Sequence, residues 1–162
     1  MAKTHVKLGL IIAAFIVLID IVLQVTHQKL QVWSDYPARI ILFVGVMVAT
    51  FLQSKSVNAC TFSQLVGYGF KVATVVVCVL FLYTVLSVYF VFPNYVESVF
   101  VQSIEEAKKT PGFNMAEVEK NTAIAKKVIA ISLISGMVLL NLAIGLVSAV
   151  IAGILFQKKV VQ

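Results

Sequence analysis

The sequence predicts an all-α integral membrane protein: a bundle of four membrane-spanning helices, with an amphipathic helical loop between the third and fourth. Three observations carry this. Of 162 residues, 60% are hydrophobic and only 12% charged, against roughly 45–50% and about 25% in soluble domains. Mean hydropathy is +1.01. The apolar residues gather in four runs, at about residues 8–25, 38–53, 65–92 and 128–156, close to or above the ~20 residues a span needs. A disordered chain is excluded, the composition speaks strongly against an ordinary soluble enzyme, and the length suits one domain.

The first run follows Lys3 and Lys7, as a secretory signal would. It is longer than the usual ~7–15 apolar residues, and no small-residue cleavage site follows Asp20, so it reads as a retained span. Asp20 would cost roughly 2.5–3.5 kcal/mol at the centre of a membrane. Thirteen Leu, Ile, Val and Phe residues accompany it, worth together about 4–8 kcal/mol, so the span inserts. A polar connection carries Trp33 and Tyr36, whose amphipathic rings suit the headgroup level. Arg39 snorkels from the start of the short second span. Residues 54–64 read as a polar loop.

The third run would be about 42 Å long as one helix, so its first turns lie in the interface, with Lys71 near the inner edge. Pro93 ends it by pushing the preceding residue out of the helical region. In residues 94–127, Val96, Val99, Phe100, Ile104 and Ala107 recur at three- and four-residue steps, which predicts an amphipathic helix over about 95–109. Thr110, Pro111 and Gly112 break it. Asn114 and Glu117 resemble a capping box, so a second helix is expected from about residue 115 into the fourth span.

The net charge of +6 does not indicate nucleic acid, because no dense basic patch is interleaved with aromatics. Most lysines flank apolar runs, where they meet lipid headgroups and set topology. With both termini on one side, that side holds Lys3, Lys7, Lys55, Lys71, Lys158 and Lys159 and no acid. Its density of charge near span ends favours the cytoplasm for both termini. Lys126 and Lys127, beside the fourth span, argue the other way. Cys60 and Cys78 are too differently placed to imply a disulfide.

Small residues recur four apart in every span: Gly9 and Ala13, Gly45 and Ala49, Gly69 and Ala73, then Gly145, Ala149 and Gly153. This spacing lets helices approach closely in lipid. It suits packing within the bundle, and the longer ridge on the fourth span also suits a homodimer seam.

Asp20 is the most informative polar residue, since an acid inside a span normally faces the bundle interior or a water-filled cavity. Gln24, His27 and Gln31 follow at helical steps. The four share one helix face and form a candidate polar groove opening toward the non-cytoplasmic side. The plain alternative is a helix leaving the membrane with its polar face met by headgroups and neighbours. Lys71 is a candidate partner for Asp20, although the two lie at different depths, and snorkelling suits it better. Asn141 is a candidate for an interhelical hydrogen bond. Ser132, Ser135, Ser148, Thr74 and Thr84 can bond to their own helices. Two histidines and no HExxH motif make a metal site improbable, and GxSxG, P-loop and GxGxxG motifs are absent. No cofactor and no catalytic group is expected. The glutamates of residues 97–119 alternate with lysines, as on a solvated face.

With this layout the chain resembles a domain-of-unknown-function family of small bacterial four-span membrane proteins. The resemblance rests on Thr61, Phe62 and Ser63 leading into residues 67–71, on Phe92, Pro93, Asn94 and Tyr95 after a long third span, on the charged helical loop, and on the small-residue tail of residues 145–159. The first 55 residues match by hydropathy alone. The resemblance implies a multi-pass protein of the bacterial inner membrane, offers no catalytic residues, and suggests an association with glycosyltransferases that use polyprenyl phosphate. The expected function is therefore a non-enzymatic accessory or scaffold subunit in the bilayer for another membrane protein. The alternative is a small transporter or flippase for a lipid-linked or polar substrate, working through the groove at Asp20, Gln24 and His27.

Overall fold

Long apolar runs with little to interrupt them form long helices, and the computed structural model shows where each one stops. It describes residues 4–26, 28–31, 33–57, 59–92, 94–109 and 122–157. Helix α1 is Thr4–Val25, α2 Tyr36–Ser56, α3 Phe62–Leu86, α4 Asn94–Ala107 and α5 Thr122–Phe156. Among the described residues, α1, α2, α3 with its extension to Val91, and α5 are long and apolar enough to cross a membrane. The all-α, four-span reading therefore stands, with α4 as the helix between the third and fourth spans.

Several ends differ from expectation for local reasons. Pro37 sits in the first turn of α2, where its missing N–H is not needed. Lys55 lies in the last turn of α2, favourable beside that end's partial negative charge. Helix α3 begins three residues before the expected Leu65. The Thr61 N–H donates to Gln64 Oε1 at 3.1 Å and the Gln64 N–H to Thr61 Oγ1 at 3.4 Å, a capping box in the Thr-x-x-Gln form. The third span is not one uniform helix to Phe92. Ser87–Val91 is a π-helical turn, closed by the Phe92 N–H donating to the Ser87 carbonyl at 2.8 Å. Phe92 itself has φ −131° and ψ 62°, outside the helical region, as a residue preceding proline prefers. The expected break at Thr110, Pro111 and Gly112, the Asn114 cap and the helix start at Met115 lie outside the described residues.

The chain divides into two units, residues 1–80 with 138–162 and residues 81–137. In the first unit, Gly9 of α1 abuts Val72 and Val75 of α3, and Gly45 of α2 abuts Ile12 of α1. Gly69 of α3 is wedged between Thr50 of α2 and Ala149 of α5, while Gly145 and Gly153 of α5 meet Ala73, Val66 and Phe62 of α3. The small-residue faces are thus taken up by helices of the same chain. Leu42, Val46, Leu65, Val72, Ala73, Val76, Ala149 and Ala152 fill the centre, all fully buried. In the most apolar stretch of each span only 28% of residues are buried. Leu10, Phe15, Leu18, Val22, Ile40 and Val48 face outward, as lipid-facing residues do, where a soluble protein would not expose so large an apolar surface.

In the second unit α4 lies against the start of α5. Phe100 is its buried anchor. Lys126 Nζ stands 5.3 Å from the Phe100 ring centroid and is ion-paired with Glu97.

Two glycines stand apart, because a Cβ at Gly67 or Gly136 would meet nothing within 4 Å. Gly67→Ala and Gly136→Ala are expected to leave stability unchanged or raise it by about 0.5–1 kcal/mol each, since alanine costs less entropy in a helix. Thermal unfolding in detergent checks this.

Candidate functional site

The polar end of α1 is built by the chain folding back on itself. The Thr26 hydroxyl donates to the Val22 carbonyl at 2.8 Å, and the Gln28 N–H to the Leu23 carbonyl at 2.9 Å, ending the helix. Successive turns follow, with N–H bonds from Gln31 to Gln28, Ser34 to Gln31 and Tyr36 to Trp33 at 3.0–3.1 Å. Ser34 is buried, and its hydroxyl donates to the Lys29 carbonyl at 2.8 Å. The effect is to return Lys29 over the end of α1.

Lys29 Nζ lies 2.6 Å from Asp20 Oδ1 and 3.0 Å from Asp35 Oδ1. Gln24 Nε2 donates to the other Asp20 oxygen at 2.7 Å. Arg39 Nη2 donates to Asp35 Oδ2 at 3.0 Å. Asp35 precedes α2 without capping it through its side chain; its carboxylate serves the two cations instead. The side chains of Asp20 and Lys29 are only 14% and 17% exposed. Burial by itself pushes the Lys29 amine down, but the carboxylates of Asp20 and then Asp35 outweigh it and hold Lys29 above its ordinary 10.5. The arrangement is a clasp of alternating charge, Gln24–Asp20–Lys29–Asp35–Arg39, tying the end of α1 to the start of α2.

The expected polar stripe is corrected by this geometry. The stripe through Asp20, Gln24, His27 and Gln31 is not one helix face, because α1 stops at Val25. Asp20 and Gln24 are brought together, Gln31 is exposed in the connection, and His27 lies outside the described residues. Asp20 pairs with Lys29 from the connection, and Lys71 stays exposed on α3, the placement that suits snorkelling rather than a pair with Asp20. Two interhelical hydrogen bonds among the described residues come from serines. The Ser148 hydroxyl donates to the Phe43 carbonyl at 2.6 Å and the Ser54 hydroxyl to the Phe156 carbonyl at 2.8 Å, both joining α5 to α2. Asn141 is half-buried on α5, away from both bonds. Thr74 and Ser135 bond to the preceding turn of their own helices, at 2.9 Å.

Elsewhere, the Tyr68 hydroxyl is buried without a hydrogen-bond partner among the described residues, and the His5 ring meets the Tyr68 ring edge-on at 6.2 Å. No group of three metal-ligating side chains occurs among the described residues.

Four apolar helices and a polar clasp at one end define a multi-pass α-helical membrane protein. The chain belongs to the family described as protein of unknown function (DUF4199), whose profile matches residues 7–158. The match takes in α1 and α2, where the sequence likeness rested on hydropathy alone. No curated protein and no solved structure matches the chain.

Proposed function

We propose that the chain is a non-enzymatic multi-pass protein of the bacterial inner membrane, with both termini cytoplasmic, serving as an accessory or scaffold subunit for another membrane protein. The observation that carries this reading is the state of Asp20. The carboxylate that would drive transport through a polar groove is engaged by Lys29 and Gln24, in contacts that hold a helix connection in place. The orientation draws support from Lys7, Lys55 and Lys71, which lie near span ends on the side assigned to the termini, as cytoplasmic lysines do. The partner class suggested by the family resemblance, a glycosyltransferase using polyprenyl phosphate, is the first to examine.

The test is cross-linking in intact native membranes, followed by purification of the tagged full chain in mild detergent. One membrane protein recovered at fixed stoichiometry is the expected result. Absence of any such protein, together with solute or lipid flux in proteoliposomes that Asp20→Asn abolishes, would establish the transporter instead.

A further inference from the structure

The two ends of the first unit treat charge differently. Its only acidic side chains are Asp20 and Asp35, and both belong to the clasp, where they offset Lys29 and Arg39. Among the described residues, the opposite end carries basic side chains and no acidic one. Helices α1 and α3 run parallel there, since His5 stands beside Tyr68 and Gly9 beside Val72 and Val75. Lys7 and Lys71 therefore fall at the same level. Helix α2 runs antiparallel to α3, with Thr50 against Gly69, which brings Lys55 in the last turn of α2 to this same end. All three lysines are exposed, and Lys55 stands 4.6 Å from the Phe51 ring centroid, partly fixed at the rim. Lys3, Lys158 and Lys159 extend the same bias in the sequence.

We propose that this end of the first unit binds anionic phospholipid headgroups through Lys7, Lys55 and Lys71. Long lysine stems lie along apolar helix surface and carry their ammonium groups to the headgroup level. An anionic leaflet attracts each such cation by an amount equivalent to roughly five-fold in affinity. The clasp end has no net charge to offer the same lipids. This holds whether or not a protein partner is found.

The test uses the full chain in nanodiscs of equimolar phosphatidylglycerol and phosphatidylcholine, extracted gently, with bound lipid counted by native mass spectrometry. Phosphatidylglycerol is expected to be enriched. The Lys7→Gln/Lys55→Gln/Lys71→Gln variant loses that enrichment by at least about five-fold, the triple arginine variant keeps it, and Lys108→Gln/Lys109→Gln, beside Glu105 and Glu106, leaves it unchanged. Equal retention of both lipids, or enrichment that survives the triple glutamine change, overturns the proposal. Competition by millimolar inorganic phosphate overturns it in favour of a small-anion site. Should the glutamine variant fail to fold, salt decides on the native chain. Enrichment fades near 1 M, where screening reaches about 3 Å, and enrichment indifferent to salt contradicts the proposal.

Discussion

Asp20→Ala is expected to destabilise the protein by about 2–4 kcal/mol, somewhat below the cost of breaking a fully buried ion pair. The reasoning is local. Lys29 Nζ is 2.6 Å from Asp20 and its side chain is 17% exposed, so removing the acid leaves a largely buried ammonium with Asp35 alone. The bond from Gln24 Nε2 to Asp20 is lost at the same time. Asp20→Asn keeps an oxygen acceptor and costs less. Removing both partners leaves no buried charge uncompensated, so Asp20→Ala/Lys29→Ala should be less destabilised than the sum of the single changes. Trp33, the only tryptophan, sits in this connection and reports unfolding by its fluorescence. The sign of the pH dependence follows from Lys29. Its pKa is raised on folding, so its contribution is complete below pH 10.5 and is lost as pH climbs through the higher folded value. Asp20→Ala should flatten that alkaline loss. If Asp20→Ala instead raises stability, the acid is retained at a cost, and the transporter reading gains.

The second large effect is expected on α5. A Cβ at Gly145 would lie 2.4 Å from Ala73 Cβ. Ala73 has no flexible side chain to swing aside, so α3 and α5 must separate. Overpacking of this kind costs typically about 1–3 kcal/mol, and Gly145→Leu should lie at the upper end. Gly69→Leu is worse placed, since its Cβ would meet Thr50 Oγ1 at 2.7 Å and Ala149 Cβ at 2.8 Å on two different helices. Gly145→Ala combined with Ala73→Gly should recover most of the loss. Denaturation in mixed micelles gives the energies. Size-exclusion chromatography checks the alternative use of this ridge: Gly145→Leu that separated a dimer without destabilising the chain would mean that Gly145, Ala149 and Gly153 meet a second copy.

The four spans were legible because hydropathy is a sum over many residues, and one acid among thirteen large apolar neighbours does not reverse it. The small-residue pairs were legible because close helix approach demands them wherever lipid removes the hydrophobic drive. Helix ends were less so. Thr61 and Gln64 carried a capping signal in plain view, but it lies inside a stretch whose polar composition reads as loop. The π turn at Ser87–Val91 leaves no mark in a run that is apolar on every face. The clasp was the least legible. Periodicity places Gln31 on the face of Asp20 only if α1 continues, and the backbone bonds of Thr26 and Gln28 that end it carry no hydropathy signal. The pairing of Asp20 with Lys29 depends on turns held by a buried serine hydroxyl, a contact no helical spacing anticipates. Ser148 is a related case, since a serine satisfied within its own helix and one bonded to a neighbour look alike in sequence.

The central claim is that Asp20 is closed off in an ion-paired clasp and does not line a wet passage. The direct measurement places single cysteines at Val17, Gln24 and Gln31 in a chain carrying Cys60→Ser and Cys78→Ala, with Asp20 left intact. Each is labelled in intact cells by a membrane-impermeant thiol reagent added from outside. Val17 lies about one turn deeper than Asp20 on its face, and Gln31 is exposed in the connection. The clasp predicts rapid labelling at position 31 and none at position 17. Labelling at position 17 would show water reaching past Asp20 and contradict the account.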